Sequence, residues 1–384
     1  MIILHIQTEC CGCSLCANVC PVGAINIIEN NHGFLEPIVD EEKCINCSLC
    51  QTTCKLRLGR KEKYTIRAFS GISNDSTLRL NSSSGGVFSE IARRIIKENG
   101  IVYGAAYSDD NSVIHIRVDN DSELKRLQGS KYVQSALNDM YTLVKKDLIG
   151  GRKVLFSGTP CQIEGLYKFL RKEYENLYTV DIICHGVTSR GFWEKYIKYL
   201  SNDEKNCIDN INFRDKQTGW HRFSFSYIKN GKKVSRLFID DPFCFFFDKH
   251  FTINPTCFNC KYASNDHEAD ITLGDLWGIQ HFPNVPDDNQ GVSLVIVSSK
   301  KGEELLSQAN NIGLIPLDKE KALLYNLHEP PKKPNDYEDF WTTYNMGGIK
   351  KCIDLYFYGT FKRRFKLAIK VLLCKAGLIK YFIK

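Results

Sequence analysis

At 384 residues the chain is long enough for two or three domains, each burying its own core. A hydrophobic fraction of 43% and a charged fraction of 25% are those of a globular protein and exclude a disordered or fibrous one. The net charge of +7 is local: residues 349–384 hold ten Lys or Arg against one acid, Asp354, so that segment carries +9 and the rest sums to 7 − 9 = −2, which argues against a nucleic-acid-binding surface.

Met1–Thr8 lacks the basic and apolar stretches of a signal peptide, and no run reaches the roughly 18 apolar residues that span a bilayer. Of seventeen cysteines, nine fall within the first 54 residues. Eight of these stand in metal-ligand spacing, which points to a reducing cytoplasm rather than a disulfide scaffold.

Those eight form two matching runs, Cys10-x2-Cys13-x2-Cys16-x3-Cys20-Pro21 and Cys44-x2-Cys47-x2-Cys50-x3-Cys54-Lys55. Three cysteines at intervals of three, with a fourth four residues on, are the ligand run of a two-cluster ferredoxin, in which the fourth cysteine serves the other cluster. The expected sets are therefore Cys10, Cys13, Cys16 and Cys54 for one [4Fe-4S] centre, and Cys44, Cys47, Cys50 and Cys20 for the second. Cys11 falls outside the pattern. Strands around Ile25–Ile28 and Phe34–Val39 are expected to cover the clusters. The metal-ligand bonds would hold so small a piece together.

After a charged connector, Arg60-Lys61-Glu62-Lys63, the pattern becomes α/β. Ala68–Ile72 reads as a strand, and Ser82-Ser83-Ser84-Gly85-Gly86 leads into a helix with Phe88, Ile91, Ile95 and Ile96 on one face, stopped at Asn99-Gly100. Strands are predicted at Ile101–Tyr107, Val113–Val118, Lys153–Ser157 and Leu177–Cys184, and helices at Ser122–Leu127, Ser135–Leu148 and Gln162–Leu170. Alternation through 208–239 with a turn at Asn230-Gly231 predicts a hairpin. Val292–Val297, a helix near Glu303–Asn310 and Ile312–Leu317 complete the α/β part, and Pro330–Pro334 reads as a linker. Phe243–Phe247 reads as core.

The Ser-Gly segment would let a phosphate approach backbone N–H groups at a helix start, as a flavin nucleotide requires, although an ordinary helix cap has the same composition. Gly158-Thr159-Pro160-Cys161 places a cysteine in the first turn of a helix, where the helix field favours a thiolate. Cys184 ends a strand of parallel type. With Cys257-x2-Cys260 these make a candidate third four-thiolate site; the competing reading is two inert buried thiols and a structural zinc half-site. His185 is a candidate proton donor or a structural hydrogen-bonding residue, and Asp270 and Asp275 are cofactor contacts or strand-end caps.

Ser84-Gly85-Gly86, Gly129–Gln134, Phe156–Gln162, Asp181–Val187, Cys257-x2-Cys260 and Asp270–Gly278 occur in an order that resembles the coenzyme F420 hydrogenase/dehydrogenase beta-subunit family over about residues 66–320. The ferredoxin-type segment is similar to an N-terminal fusion common in that family, and the chain most resembles its bacterial branch associated with surface-polysaccharide genes. Plant hydroxymethyl-chlorophyll reductases are similar. The resemblance implies an iron–sulfur flavoprotein passing electrons through a third cluster to FAD and on to coenzyme F420 or another acceptor. It places Ser84, Gly85, Gly86 and Lys131 near FAD, with Thr159 as a further contact.

The expected architecture is a two-cluster ferredoxin-type domain at 1–60, a mixed α/β flavin and iron–sulfur region divided into 66–150 and 151–330, and a linker with a basic amphipathic helix at 331–384. In that tail Phe361, Phe365, Ile369, Leu372, Ala376, Ile379 and Ile383 share one helical face beside Lys362, Lys366 and Lys370. Residues 349–384 would thus touch anionic lipid at the inner face of the membrane, or pack on the protein itself. The functional expectation is an oxidoreductase with a ferredoxin or other redox partner and a small-molecule acceptor. The alternative is a relay subunit serving a separate enzyme.

Overall fold

The structure, a computed structural model, describes residues 9–55, 64–202, 207–264, 267–326 and 329–359, together with residues 365 and 369. Near the N-terminus β1 (Ile25–Glu29) and β2 (Leu35–Val39) form an antiparallel hairpin, flanked by helices α1 (Leu15–Val19) and α2 (Leu49–Lys55) that carry Cys16, Cys50 and Cys54. The hairpin strands fall where the apolar pattern predicts them.

The rest is built on one mixed sheet of β3 (Arg67–Ser73), β4 (Ile101–Tyr107), β5 (Val113–Val118), β6 (Val154–Gly158), β7 (Leu177–Ile182), β11 (Ile271–Asp275), β12 (Ser293–Val297) and β13 (Ile312–Leu317). Its spatial order is β13-β3-β12-β11-β7-β6-β4-β5. The four central strands β11, β7, β6 and β4 are parallel, and their apolar runs, such as Val154-Leu155-Phe156, are buried on both faces. Since β12 is antiparallel to both β11 and β3, strand β3 runs with the central four. The carboxyl ends of β3, β4, β6, β7 and β11 therefore share one edge, where open α/β sheets place ligands.

One face is covered by α3 (Val87–Lys97), whose Val87, Ile91 and Ile95 meet Val102, Leu155, Val180 and Val295. The other is covered by α4 (Met140–Ile149) and α5 (Pro160–Leu170), with Tyr141, Val144, Ile163 and Leu166 against Val154 and Phe156; Leu15 of α1 joins this core.

A second, antiparallel sheet comprises β8 (Ile208–Asp215), β9 (Ser224–Lys229) and β10 (Lys232–Leu237). Asn230 and Gly231 both have positive φ, 51° and 75°, which a two-residue hairpin turn requires. An aromatic core joins this sheet to α6 (Arg190–Ser201), α7 (Pro242–Asp248) and α9 (Tyr337–Cys352), after α8 (Lys300–Ser307). The Phe243–Phe247 run is α7, and it is core.

Several expectations are corrected. The helix predicted from Ser135 starts at Met140, because Gln134 N–H donates to Thr188 O and Ala136 N–H to Val113 O, and Asn138 has φ 47°. The segment Ser122–Leu127 is one α-turn followed by a tighter 3-10 turn. Strand β7 ends at Ile182, two residues before Cys184. Helix α9 lies where a linker and tail were expected; its last residue, Cys352, and Ile353 and Phe357 beyond it are buried in the aromatic core. Residues 349–358 thus belong to the folded body. The connector 60–63 and the amphipathic helix from Phe361 lie outside the described residues, apart from Phe365 and Ile369, which are exposed. Among the described residues no helix is long and apolar enough to cross a membrane.

The N-terminal segment is sewn onto the larger body. Phe34 enters the aromatic core, and His32 stacks on Trp341 with ring centroids 4.5 Å apart. Ser189 Oγ donates to His32 O, Lys168 Nζ to Cys54 O at 2.9 Å, and Thr256 Oγ1 to Cys10 O at 3.0 Å. The turn glycine Gly33 (φ 76°) lies so close to Gly191 that a Cβ on it would stand 2.5 Å from Gly191 Cα.

Candidate functional site

Where the N-terminal segment meets the sheet edge, a cavity of about 900 Å³ is lined by nine cysteines. Cys10, Cys13, Cys16 and Cys54 come from the two N-terminal runs, and Cys161, Cys184, Cys257 and Cys260 from the body, with Cys11 as the ninth. A smaller pocket is lined by Cys20, Cys44, Cys47 and Cys50, of which Cys47 is exposed. The fold thus groups the N-terminal cysteines as the exchange of fourth ligands requires, with Cys54 beside the first run and Cys20 beside the second. None of the described cysteines is in a disulfide.

Local structure explains how each body cysteine arrives. Strand β6 ends at Gly158, and Pro160 and Cys161 open α5, Thr159 N–H donating to Gln162 Oε1 at 2.9 Å. Strand β7 delivers Cys184 just past its carboxyl end. Cys257 lies in the short 3-10 turn Pro255–Asn259 and Cys260 caps it, a turn set by Asn254 Oδ1 accepting from Thr256 N–H.

The thiols fit cluster ligation. Backbone N–H groups point at sulfur: Gly12 N–H at Cys10 Sγ (3.4 Å), Ala24 N–H at Cys20 Sγ (3.2 Å) and Gly186 N–H at Cys184 Sγ (3.4 Å). Such bonds favour thiolate and tune cluster potentials. Without metal, burial pushes the Cys10 thiol up to about 11 and the Cys257 thiol up to about 12. Burial, then the neighbouring Cys257, raises Cys184 to about 12. Metal binding would therefore release protons from these thiols. Among the described residues no three His, Cys, Asp or Glu converge as they would on a single ion.

The residues expected near a flavin divide between two places. Thr159 belongs to the cysteine cavity, its Oγ1 3.1 Å from Cys161 Sγ. Ser84, Gly85 and Gly86 lie between β3 and α3: Ser84 Oγ donates to Val292 O (2.8 Å), and Gly85 N–H donates to Ser293 Oγ (3.0 Å). A Cβ on Gly85 would stand 2.0 Å from Gly71 O, so that glycine is required by packing on the sheet. Ser83 Oγ accepts from Ser130 N–H at 2.7 Å, which brings the 128–131 loop alongside, and around Gly129 (φ 78°) there is room for a larger group. Lys131 Nζ donates to the carbonyls of Arg126, Gln128 and Gly129, and burial lowers its pKa to about 7.

His185 Nε2 lies 2.7 Å from His250 Nε2 and packs on Phe247; its ring does not line the cysteine cavity. Asp270 accepts from Thr179 N–H and Oγ1 and from Ser299 Oγ, tying β11 to β7 and the start of α8.

Two arrangements escape sequence reasoning. Buried Asp181 accepts from His267 Nδ1 at 2.8 Å, and His267 lines the cysteine cavity. A carboxylate inside an otherwise apolar strand was the signal available. Arg214 forms a two-point pair with Asp275 (2.7 and 3.1 Å) and lies 3.8 Å over the Phe223 ring, while Trp220 Nε1 donates to Asp275 Oδ1. Lys216 Nζ reaches Ser84 O at 2.6 Å, so this cluster adjoins the Ser-Gly segment.

Residues 151–322 match the family described as the C terminus of the coenzyme F420 hydrogenase/dehydrogenase beta subunit, and residues 9–57 match the 4Fe-4S dicluster domain. The coenzyme F420-dependent sulfite reductase of Methanocaldococcus jannaschii is 26% identical over 364 residues, 90% of this chain and 54% of that protein; the chain spans about half the length of this relative. A chain of the F420-reducing [NiFe] hydrogenase complex from Methanosarcina barkeri aligns with 78% of this chain and 94% of its own, at 17% identity and a TM-score of 0.46, too slight a likeness to bear on the argument. Residues 9–57 are thus similar to an iron–sulfur dicluster domain, and residues 151–322 to the C-terminal region of the coenzyme F420 hydrogenase/dehydrogenase beta subunit.

Proposed function

We propose that the protein is an iron–sulfur flavoprotein oxidoreductase that carries electrons from its solvent-facing cluster site inward to a flavin and on to a small organic acceptor. The observation that carries this reading is the single cavity in which one N-terminal cysteine set faces the four body cysteines. Cys44, Cys47, Cys50 and Cys20 would hold the outer cluster, Cys10, Cys13, Cys16 and Cys54 the inner one, and Cys161, Cys184, Cys257 and Cys260 a third. Bound there, clusters supply one-electron steps and FAD pairs them into a two-electron step.

The chain's own part is to position and to shield. Gly12, Ala24 and Gly186 direct N–H groups at sulfur, and the cavity's cysteines other than exposed Cys54 are partly withdrawn from solvent. Exposed Cys47, with exposed Val22 and Ile45 beside it, suits the approach of a ferredoxin or similar redox partner. The flavin is proposed at the corner of Ser84, Gly85, Gly86, Gly129 and Lys131, where α3 presents its N-terminus. The acceptor is proposed to be a coenzyme F420-like carrier or a small substrate of surface-polysaccharide synthesis, and the setting cytoplasmic.

Iron and flavin analysis of anaerobically purified protein tests this reading. About twelve irons and one flavin per chain are expected, and about eight irons without flavin would overturn it. A relay subunit would hold the same clusters but consume no acceptor when given reduced ferredoxin alone.

A further inference from the structure

Helix α5 turns one side to the N-terminal segment, and the inner cysteine set meets it twice. Cys13 Sγ lies 3.4 Å from where a Cβ on Gly165 would stand. One turn later Lys168 Nζ donates to Cys54 O at 2.9 Å. Two cysteines from different runs, both assigned above to the inner cluster, therefore rest on the same helical stripe. Just beyond, Arg171 donates to Thr53 Oγ1, so the end of α5 grips the turn of α2 that carries Cys54.

Lys168 is the unusual member of this contact. It is only 4% exposed, and a buried ammonium is costly unless it is paired. Its partner is buried Glu164, one turn earlier, with Nζ 2.8 Å from Oε1. Exposed Lys261, next to Cys260, stands 4.0 Å from the same carboxylate oxygen. Two lysines thus face one glutamate where the inner set approaches the body set. A buried ion pair contributes little net stability, because desolvation offsets its attraction. A lysine in the last turn of a helix also suits the helix dipole, but an exposed one would do that as well. The outer cysteine pocket is different: among the described residues that line it none is charged, whereas Lys55, Lys168 and Lys261 line the large cavity against one acid, Glu9.

We propose that Lys168 sets the potential of the cluster on Cys10, Cys13, Cys16 and Cys54, making it easier to reduce than the cluster on Cys44, Cys47, Cys50 and Cys20, with Glu164 acting in the opposite sense. This rests on the two N-terminal clusters of the reading above and needs neither the third cluster nor the flavin. The inward step moves one electron from the reduced outer cluster to the oxidised inner one; no bond forms or breaks, and Lys168 keeps its proton. A four-thiolate cluster gains negative charge on reduction, so a fixed cation one hydrogen bond from a ligand residue favours the reduced form. An electron arriving at the exposed Cys47 edge is thereby drawn inward.

The test uses the full chain, purified anaerobically, with Lys168→Met and Glu164→Gln beside the wild type. Iron is measured first, then each cluster's midpoint potential by redox titration followed by electron paramagnetic resonance. The expected result is unchanged iron and one midpoint moved in opposite directions, lower in Lys168→Met and higher in Glu164→Gln. The shift should be about tenfold in the ratio of reduced to oxidised cluster, which is about 59 mV for one electron. The other N-terminal midpoint should stay where it is. Unmoved midpoints, or shifts of one sign in both variants, overturn the proposal, because a purely structural clamp does not answer to the sign of the charge removed. Should Lys168→Met lose iron, Glu164→Gln decides: a raised midpoint supports the proposal and any other result refutes it. Fewer than about eight irons in the wild type would overturn the two-cluster assignment and this proposal with it. About eight irons without flavin would overturn the flavoprotein reading alone and leave this one standing.

Discussion

At the scale of single residues, the sheet contains a pH-dependent element away from the metal sites. His115 is buried between β5 and β6, with Nδ1 2.7 Å from Ser135 Oγ and Nε2 3.0 Å from Ser157 O. Burial lowers its pKa from 6.5 to about 4. Between those values the unfolded chain binds a proton that the folded one does not, so stability falls as pH drops from 6.5 towards 4 and this contribution levels off below. The loss amounts to about 3 kcal/mol. Urea unfolding of the apo-protein at pH 7 and pH 5 should show about 2 kcal/mol of this loss, and His115→Gln should lose most of the difference; an equal pH response in that variant would refute the assignment. The same scale shows why some site residues were readable and others were not. The eight N-terminal cysteines announce themselves because a short loop sets their spacing. Arg214 and Asp275 are 61 residues apart, and Asp181 and His267 are 86 apart, so only the pairing of β8, β11 and β7 with their neighbours brings each couple together.

At the scale of elements, α7 depends on one carboxylate. Asp241 is fully buried, caps the Phe243 and Cys244 N–H groups and accepts from Tyr196 Oη at 2.6 Å. Asp241→Ala removes the cap and strands the tyrosine hydroxyl, a loss of about 2–4 kcal/mol. Chemical denaturation should register that loss; a change below about 0.5 kcal/mol, ordinary for surface positions, would refute the role. Strands and the longer helices were readable from period and from turn residues such as Asn230-Gly231 and Asn99-Gly100. Helix boundaries failed where tertiary bonds took over the backbone, as at Gln134 and Ala136. Helix α9 was hidden because Tyr337, Phe340 and Trp341 bury against α6 and α7 in an aromatic core whose members are scattered through the sequence.

At the scale of the whole molecule, the basic charge divides between a docked and an undescribed part. Residues 349–358 pack into the body, which leaves residues 360–384 with eight Lys or Arg and no acid. A peripheral contact with anionic lipid is proposed for that segment, each basic residue near the surface adding about 1 kcal/mol. Removing residues 360–384 should abolish co-sedimentation with vesicles containing phosphatidylserine and leave iron content unchanged; undiminished sedimentation would discard the contact. The order of sites, by contrast, is fixed by the body itself. Gly33 and Gly191 touch backbone to backbone, and Arg190, beside that contact, is paired with Glu29 at 3.2 Å. The N-terminal segment is therefore a fixed plug rather than a swinging arm. A ferredoxin that must diffuse to its partner trades speed for freedom of choice. In the proposed relay the hop from this segment into the body would have one permanent length and one destination, leaving selectivity among donors to the outer face around Cys47.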